Sequence, residues 1–135
     1  MATSWQRSPS NKKKHVTWEE VYQWCQFIQG VMSYDHPEIE VVAGIYRGGM
    51  IPASIIAYMH KCDCIVVEFP EELREYNPEK VLLIDDVVDT GETFKKFKCL
   101  DKITKACLVL KPWADPHPDI VAHWTTDWVV FPWEK

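Results

Sequence analysis

The sequence predicts a single α/β domain built on a parallel β-sheet with helices on both of its faces. A length of 135 residues fits one domain and leaves no room for a second. With 47% hydrophobic and 13% aromatic residues, the chain can bury a core without disulfides or metal ions. Strand-like apolar runs alternate with helical segments along the chain, which is typical of a parallel sheet. Ligands of such sheets bind beyond the carboxyl ends of the strands.

The expected elements follow one another in a regular order. A helix begins at Thr17, where Thr17 and Glu20 form a capping-box pattern ahead of helically spaced apolar residues. A core helix is expected over 50–60, and a shorter helical stretch over 92–100. Apolar runs predict strands at 41–46, 64–69, 81–84 and 104–110, and the aromatic segment 120–135 is also strand-prone.

Charge and cysteine content exclude several classes of protein. The formal net charge is −5, yet the first fourteen residues contain Arg7 and Lys12–Lys14 and no acid. We therefore expect residues 1–14 to be a basic, flexible tail and residues 15–135 to be the folded domain. The acidic domain argues against a nucleic-acid-coating surface, although the tail alone leaves contact with a nucleic acid or a partner protein open. No apolar run could span a membrane, and five scattered cysteines indicate a reducing, cytoplasmic setting.

The most informative segment is VLLIDDVVDTGET at 81–93. Asp85 and Asp86 follow an apolar strand, at the sheet edge where paired acids suit hydroxyl groups or a divalent ion. Thr90, Gly91 and Thr93 lie where a loop enters a helix, and the free backbone N–H groups of such a loop suit a phosphate. The alternative interpretation is a solvated acidic turn in which Gly91 only supplies a positive φ. The ordered combination of strand, acids, glycine and hydroxyls favours a binding site.

This segment resembles the phosphoribosyl-pyrophosphate (PRPP) binding motif of type I phosphoribosyltransferases. GIYRGGMIPA at 44–53 is similar to the pyrophosphate loop of that family. VTWEEVYQ at 16–23 and the ending KPWADP with DWVVFPWE, within 111–134, resemble one branch, the bacterial xanthine–guanine phosphoribosyltransferases. The likeness covers about residues 16–135 in collinear order, and three blocks in register are more specific than one motif.

The resemblance implies a role for each matched residue. Asp85 and Asp86 would serve the PRPP ribose hydroxyls and Mg²⁺, and Asp89 would lie near the purine N7 as the catalytic proton acceptor. Three further sets of residues would bind the remaining groups. The 5′-phosphate would be bound by Asp89, Thr90, Gly91, Glu92 and Thr93, and the pyrophosphate by Arg47, Gly48 and Gly49. A 6-oxopurine would be bound by Lys111, Trp128 and the carbonyl of Val129.

The implied reaction is transfer of the 5-phosphoribosyl group from PRPP to a purine nitrogen with release of pyrophosphate, assisted by Mg²⁺. We expect PRPP and the base as small-molecule partners, a small C-terminal lobe that binds the base, and a homo-oligomer. Two alternatives stay open: a non-catalytic regulator that binds PRPP or a nucleotide on the same fold, and a pyrimidine or other base as acceptor.

The chain departs from the family in the connection at 69–80. Members of the family carry a long mobile loop there, which closes over the reacting groups. This chain has about a dozen residues, mostly acidic, with Arg74 as the sole cation before Lys80. A site without such a lid would stay open to water, so slow transfer and competing hydrolysis are expected. Glu92 also stands where this branch more often has glycine.

Overall fold

The computed structural model describes residues 12–134 and contains two parallel β-sheets. The main sheet has five strands in the order β3-β2-β4-β5-β6, and every neighbouring pair is parallel. The predicted parallel α/β architecture is therefore confirmed. The helices and strands are β1 (Lys13–His15), α1 (Trp18–Asp35), β2 (Val41–Ile45), α2 (Met50–His60), β3 (Asp63–Val67), β4 (Val81–Val88), α3 (Glu92–Lys95), β5 (Thr104–Leu110), β6 (Ile120–Trp124) and β7 (Trp128–Val130).

The predicted capping box at the start of α1 is present. The Glu20 N–H donates to the Thr17 hydroxyl oxygen over 3.1 Å, and the Thr17 N–H donates to Glu20 Oε1 over 3.0 Å. This reciprocal pair satisfies two of the backbone donors that a helix start leaves without intrahelical partners. Helical spacing then buries one apolar stripe of α1: Val21, Cys25, Ile28 and Met32.

Alternation along the central strands produces two cores. In β4, Leu82 and Ile84 belong to the core that α1 and α2 cover. Leu83, on the opposite side of the strand, belongs to a second core with Phe94 of α3. Leu73, in the 3₁₀ turn Pro70–Leu73, is also part of this second core. Helical segments therefore pack on both faces of the sheet.

Four predicted boundaries were wrong. β4 continues to Val88 instead of ending at 84, so the paired acids lie inside the strand. The helical stretch at 92–100 contains only the four-residue α3, followed by turns. The strand expected at 64–69 lies at Asp63–Val67, and the one expected at 41–46 ends at Ile45.

Two segments near the ends of the described residues form the second, two-stranded sheet. β1 pairs in parallel with β7, and it begins at Lys13, inside the segment expected to be a flexible tail. The rest of that expected tail, residues 1–11, lies outside the described residues. The small C-terminal lobe therefore includes β1, from the start of the described residues, as well as β7. Among the described residues, no helix has the length and apolar character required to cross a bilayer.

Candidate active site

Asp85 and Asp86 form an acid pair at the carboxyl end of β4. Asp85 is only 8% exposed, and its Oδ1 accepts the Asp86 N–H over 2.9 Å. Asp86 Oδ1 accepts the Val87 N–H over 2.7 Å. The local backbone therefore fixes both carboxyl groups at the edge of the sheet where a ligand binds.

Burial changes the acidity of this pair. Loss of hydration raises the pKa of Asp85 to about 8, with the neighbouring Asp86 charge adding to the effect. Burial also raises the pKa of Asp86, and the charge of Glu134 contributes in the same direction. A cation between these carboxyl groups would favour their ionised forms, because its charge replaces the lost hydration.

Asp85 and Asp86 supply two carboxyl groups that could bind Mg²⁺. Within residues 12–134, no cluster of three or more His, Cys, Asp or Glu side chains is arranged to hold a metal ion. Mg²⁺ in phosphate-transfer sites is typically held by one or two carboxylates, with water and substrate phosphate oxygens completing its shell. Asp85 and Asp86 fit an ion that binds together with a phosphorylated substrate.

The loop after the acid pair encloses a small cavity of about 120 Å³, lined by Asp85, Val87, Val88, Asp89, Thr90, Gly91, Glu92 and Thr93. Gly91 has a φ of +95° and lies against the Asp115 backbone carbonyl, so a side chain there would be both strained and obstructed. The Glu92 N–H donates to the Thr90 hydroxyl over 3.3 Å. The structure therefore brings the whole predicted phosphate loop around one concave space.

A larger cavity of about 600 Å³ adjoins the acid pair and is lined by Arg47, Gly48, Met50, Ile51, Asp86, Trp133 and Glu134. Gly48 lies so close to the Asp86 carboxylate that any Cβ would overlap it. Arg47 and Gly48 of the predicted pyrophosphate loop therefore share one cavity with Asp86, whereas Asp85 lines the smaller cavity. Gly49 does not line this cavity; its N–H donates to the Ile45 carbonyl over 2.8 Å, at the start of α2.

Two residues of this wall were missed in the sequence. Seven tryptophans cannot all serve one ligand, so packing is the expected role of Trp133, and it does stack on Phe131 with ring centroids 4.7 Å apart and planes at 3°. It also lines the cavity beside Arg47, together with Glu134. Glu134 Oε1 accepts the Phe131 N–H over 2.8 Å, which fixes the end of the described chain against the site. No local pattern places this segment near Arg47.

Lys111 lies at the end of β5, and it is only 6% exposed. Its N–H donates to the Val88 carbonyl over 2.9 Å, which places it beside the phosphate loop. Its ammonium group donates to the Asp127 carbonyl and lies 5.9 Å from the centre of the Trp113 ring. The structure therefore brings Lys111 next to the segment that precedes β7.

Trp113 connects this region to Asp89. Its indole N–H donates to Asp89 Oδ1 over 2.8 Å. From the sequence alone, packing is the expected role of Trp113 as well. The contact with Asp89 gives it a polar role, and only the fold reveals that contact.

Trp128 and Val129 lie in β7, immediately after Asp127. The Trp128 side chain is 64% exposed, and its N–H donates to the Lys12 carbonyl over 2.9 Å. Val129 packs against the core on the α1 side of the sheet. The predicted base-binding residues therefore lie on two neighbouring segments, linked by the contact between Lys111 and Asp127.

Comparison with known proteins confirms the resemblance, although no family model matches the chain. The chain is 30% identical over 142 residues to the xanthine-guanine phosphoribosyltransferase of Gluconobacter oxydans, covering 88% of this chain and 83% of that protein. It is 25% identical over 152 residues to the corresponding Cereibacter sphaeroides protein, covering 96% and 91%.

Solved structures agree. A purine phosphoribosyltransferase from Pyrococcus horikoshii superimposes with a TM-score of 0.74 at 27% identity, covering 91% of this chain and 95% of that one. The Helicobacter pylori xanthine-guanine-hypoxanthine phosphoribosyltransferase has the same TM-score at 20% identity, covers 90% and 93%, and supports the fold alone. The chain therefore belongs to the xanthine–guanine phosphoribosyltransferase family of type I phosphoribosyltransferases.

Proposed function

We propose that this purine phosphoribosyltransferase moves the 5-phosphoribosyl group from PRPP to a 6-oxopurine and releases pyrophosphate. One observation carries the proposal: the loop of Arg47, the acid pair and the 89–93 loop surround adjoining cavities at one edge of the sheet. Lys111 is beside them, hydrogen-bonded to Val88. A sugar with phosphate groups at both ends matches this succession of cationic, acidic and amide-rich surfaces.

For PRPP, we assign the pyrophosphate to Arg47 and the backbone of Gly48, with Gly49 holding the loop on α2. The ribose hydroxyls go to Asp85 and Asp86. The 5′-phosphate goes to the 89–93 loop, where the hydroxyls of Thr90 and Thr93 and the backbone of Gly91 and Glu92 surround the small cavity. The Glu92 side chain is exposed and pairs with the Lys95 ammonium group at 3.1 Å, which reduces the repulsion between its charge and the phosphate.

Mg²⁺ bound with PRPP at Asp85 and Asp86 would neutralise charge on the departing pyrophosphate. Groups of the protein itself would also stabilise this charge. Arg47 faces the larger cavity with a permanent cation, and the neighbouring backbone amides add fixed dipoles. Both would stabilise the negative charge that grows on the leaving group.

For the base, we assign the 6-oxo group to Lys111, the ring face to Trp128 and the exocyclic 2-position to the Val129 carbonyl. Lys111 is an ammonium donor with no acceptor capacity, so it pairs with an oxo group and opposes the amino group of adenine. The large exposed area of Trp128 leaves an indole face for a purine ring.

The transfer step displaces pyrophosphate from the anomeric carbon. A purine nitrogen forms the new N–C bond, and the C–O bond to pyrophosphate breaks with its electron pair leaving on oxygen. Asp89 accepts the proton that the purine loses. The Trp113 indole N–H holds Asp89 Oδ1 over 2.8 Å and so orients the carboxylate for this task.

The 69–80 connection supports the expectation of an open site. It folds as 3₁₀ turns at Pro70–Leu73 and Pro78–Lys80, and Leu73 is buried in the second core. Glu72 Oε1 accepts the N–H groups of Glu68 and Phe69 over 2.7 and 2.9 Å, which holds the first turn closed. A segment anchored in this way does not extend over the reacting groups, so water should compete with the base.

We also propose a homo-oligomer in a reducing, cytoplasmic compartment. Trp18, Tyr22 and Tyr58 expose large aromatic surfaces on α1 and α2, and Tyr22 and Tyr58 flank a mostly apolar groove of about 350 Å³. Apolar patches of this kind favour association with a second copy. All five cysteines are free thiols, which fits a reducing compartment.

The test is pyrophosphate release from PRPP with guanine, xanthine, hypoxanthine or adenine, with and without Mg²⁺. We expect Mg²⁺-dependent release with oxopurines and little with adenine, together with measurable ribose 5-phosphate from hydrolysis. Equal use of adenine would contradict the role of Lys111. Tight PRPP binding without turnover on any base would contradict the enzyme proposal and favour a regulator.

A further inference from the structure

We propose that β1 is a positioning element for the purine: its ladder with β7 orients the peptide groups of Val129 toward the base. This inference rests on the proposed function. It assigns a role in base recognition to the Lys-rich segment at the start of the described chain, which sequence analysis placed in a flexible tail.

The first step is the register of the ladder. Lys13 pairs with Trp128, Lys14 with Val129 and His15 with Val130. At the ends of the ladder, the Trp128 N–H donates to the Lys12 carbonyl and the Val16 N–H donates to the Val130 carbonyl, both over 2.9 Å. The regular alternation of a parallel ladder assigns the bonds between them, from the Lys14 N–H to the Trp128 carbonyl and from the Val130 N–H to the Lys14 carbonyl.

The second step follows from this alternation. β1 uses the peptide groups of Trp128 and Val130, so those of Val129 point to the opposite edge of β7. β1 and β7 form a two-stranded sheet by themselves, so no other described strand pairs with that edge. The ladder with β1 therefore decides which carbonyl of β7 is presented to a ligand.

The third step identifies what lies along that edge. Asp127 is two residues before Val129, and its carbonyl contacts the ammonium group of Lys111. The Trp128 N–H points to Lys12 of the β1 segment, so the carbonyl on the other side of the same planar trans peptide, that of Asp127, points away from β1, as the Val129 carbonyl does. The Val129 carbonyl therefore lies on the same side of β7 as the contact between Asp127 and Lys111.

The fourth step explains why β1 itself stays in place. The Lys14 ammonium group pairs with Glu20 Oε2 at 2.9 Å, while Glu20 Oε1 accepts the Thr17 N–H in the capping box. Val16, at the end of β1, is buried in the core with Val21 of α1. β7 is therefore connected through β1 to the rigid start of α1.

Proline substitutions separate the ladder from other effects. Lys14→Pro removes the N–H that bonds the Trp128 carbonyl, whereas Lys13→Pro removes an N–H that points away from β7 and serves as the matched control. Lys14→Ala keeps the backbone bond and removes only the ion pair with Glu20. All three are compared with the wild-type full-length chain by thermal unfolding and by steady-state kinetics.

We expect Lys14→Pro to raise KM for the purine about tenfold or more and to leave KM for PRPP within twofold. Lys13→Pro should stay within about twofold of wild type for both substrates, and Lys14→Ala, which removes one anchor of β1 but keeps the ladder, should raise KM for the purine by no more than about threefold. A variant that merely loosened the fold would raise both KM values together. If Lys14→Pro does not fold, Lys14→Gly, which keeps the N–H and loosens the strand, should raise KM for the purine alone, and by more than Lys14→Ala does.

The inference is overturned if Lys14→Pro and Lys13→Pro behave alike, or if KM for PRPP changes as much as KM for the purine. If Lys14→Gly is measured instead, an unchanged KM for the purine overturns the inference. Absence of base-dependent pyrophosphate release by the wild type is a different result, which contradicts the proposed function itself.

Discussion

The candidate site has two regions that are built in different ways. The PRPP end, meaning residues 47–49 and 85–93, consists of the loop after β2 and of the last four residues of the neighbouring strand β4 with the loop that follows them. The base end, meaning residues 111–113 and 127–129, is held by β1 and by side-chain contacts from separate parts of the chain. The PRPP end is thus fixed by the main sheet, and the base end by tertiary contacts. Substitutions in one region should therefore affect one substrate.

The largest expected effect is at the PRPP end. Asp86→Asn removes a carboxylate that faces Arg47 and Gly48 across the larger cavity. We expect kcat/KM for PRPP to fall by at least about 100-fold, because both the metal and the ribose lose a charged ligand. Asp101→Asn, at an exposed acid on the surface, is the matched control and should be neutral. A similar loss in both variants would contradict the assignment.

At the base end, Lys111→Met should weaken the use of oxopurines by about 10- to 100-fold, the range expected when a charged hydrogen bond of about 1.5–3 kcal/mol is lost. KM for PRPP should stay within about twofold, because Lys111 contacts Asp127 and Trp113 and lies outside both PRPP cavities. Steady-state kinetics with each substrate varied in turn measures this. An equal rise in both KM values would contradict the claim that the PRPP end and the base end bind different substrates.

Trp113→Phe probes the link between the two regions. It keeps an aromatic ring beside Lys111 and removes the indole N–H that holds Asp89 over 2.8 Å. We expect kcat to fall by about tenfold with little change in either KM, since Asp89 is less well oriented but still present. An unchanged kcat would assign Trp113 to packing alone.

A smaller effect concerns the stability of the ligand-free protein. Burial raises the pKa of Asp85 from 3.8 to about 8, so the folded chain holds a proton that the unfolded chain releases above about pH 4. The free energy of unfolding should therefore decrease as the pH rises from about 4 to about 8 and then level off. Asp85→Asn should flatten this dependence and stabilise the protein above pH 8. Denaturant unfolding at several pH values measures it; an unchanged slope in the variant would mean that another group controls the titration.

Much of the fold and the PRPP end could be predicted from the sequence because neighbouring residues carry the signal. The strand, acids, glycine and hydroxyls of 81–93 are contiguous, and so is the capping box at Thr17. The extension of β4 through Asp85 and Asp86 could not be predicted, since it depends on pairing of Val87 and Val88 with Val109 and Leu110 of β5. Long-range pairing of this kind overrides local polarity.

The base end was predicted less completely for the same physical reason. Lysines at the start of the chain indicate a solvated tail, and only the ladder with β7 makes Lys13–His15 a strand. The contact between Trp113 and Asp89 joins residues 24 positions apart. The same holds for one residue of the PRPP end: Glu134 lines the larger cavity together with Arg47, and no local pattern predicts that approach.

Calorimetric titration of Mg·PRPP into the wild type, Asp86→Asn and Lys111→Met tests the central claim most directly, because it measures the PRPP end without the base or the chemical step. The account predicts clear binding to the wild type, binding within about twofold to Lys111→Met, and loss of binding to Asp86→Asn. Equal weakening in both variants, or undiminished binding to Asp86→Asn, would contradict it.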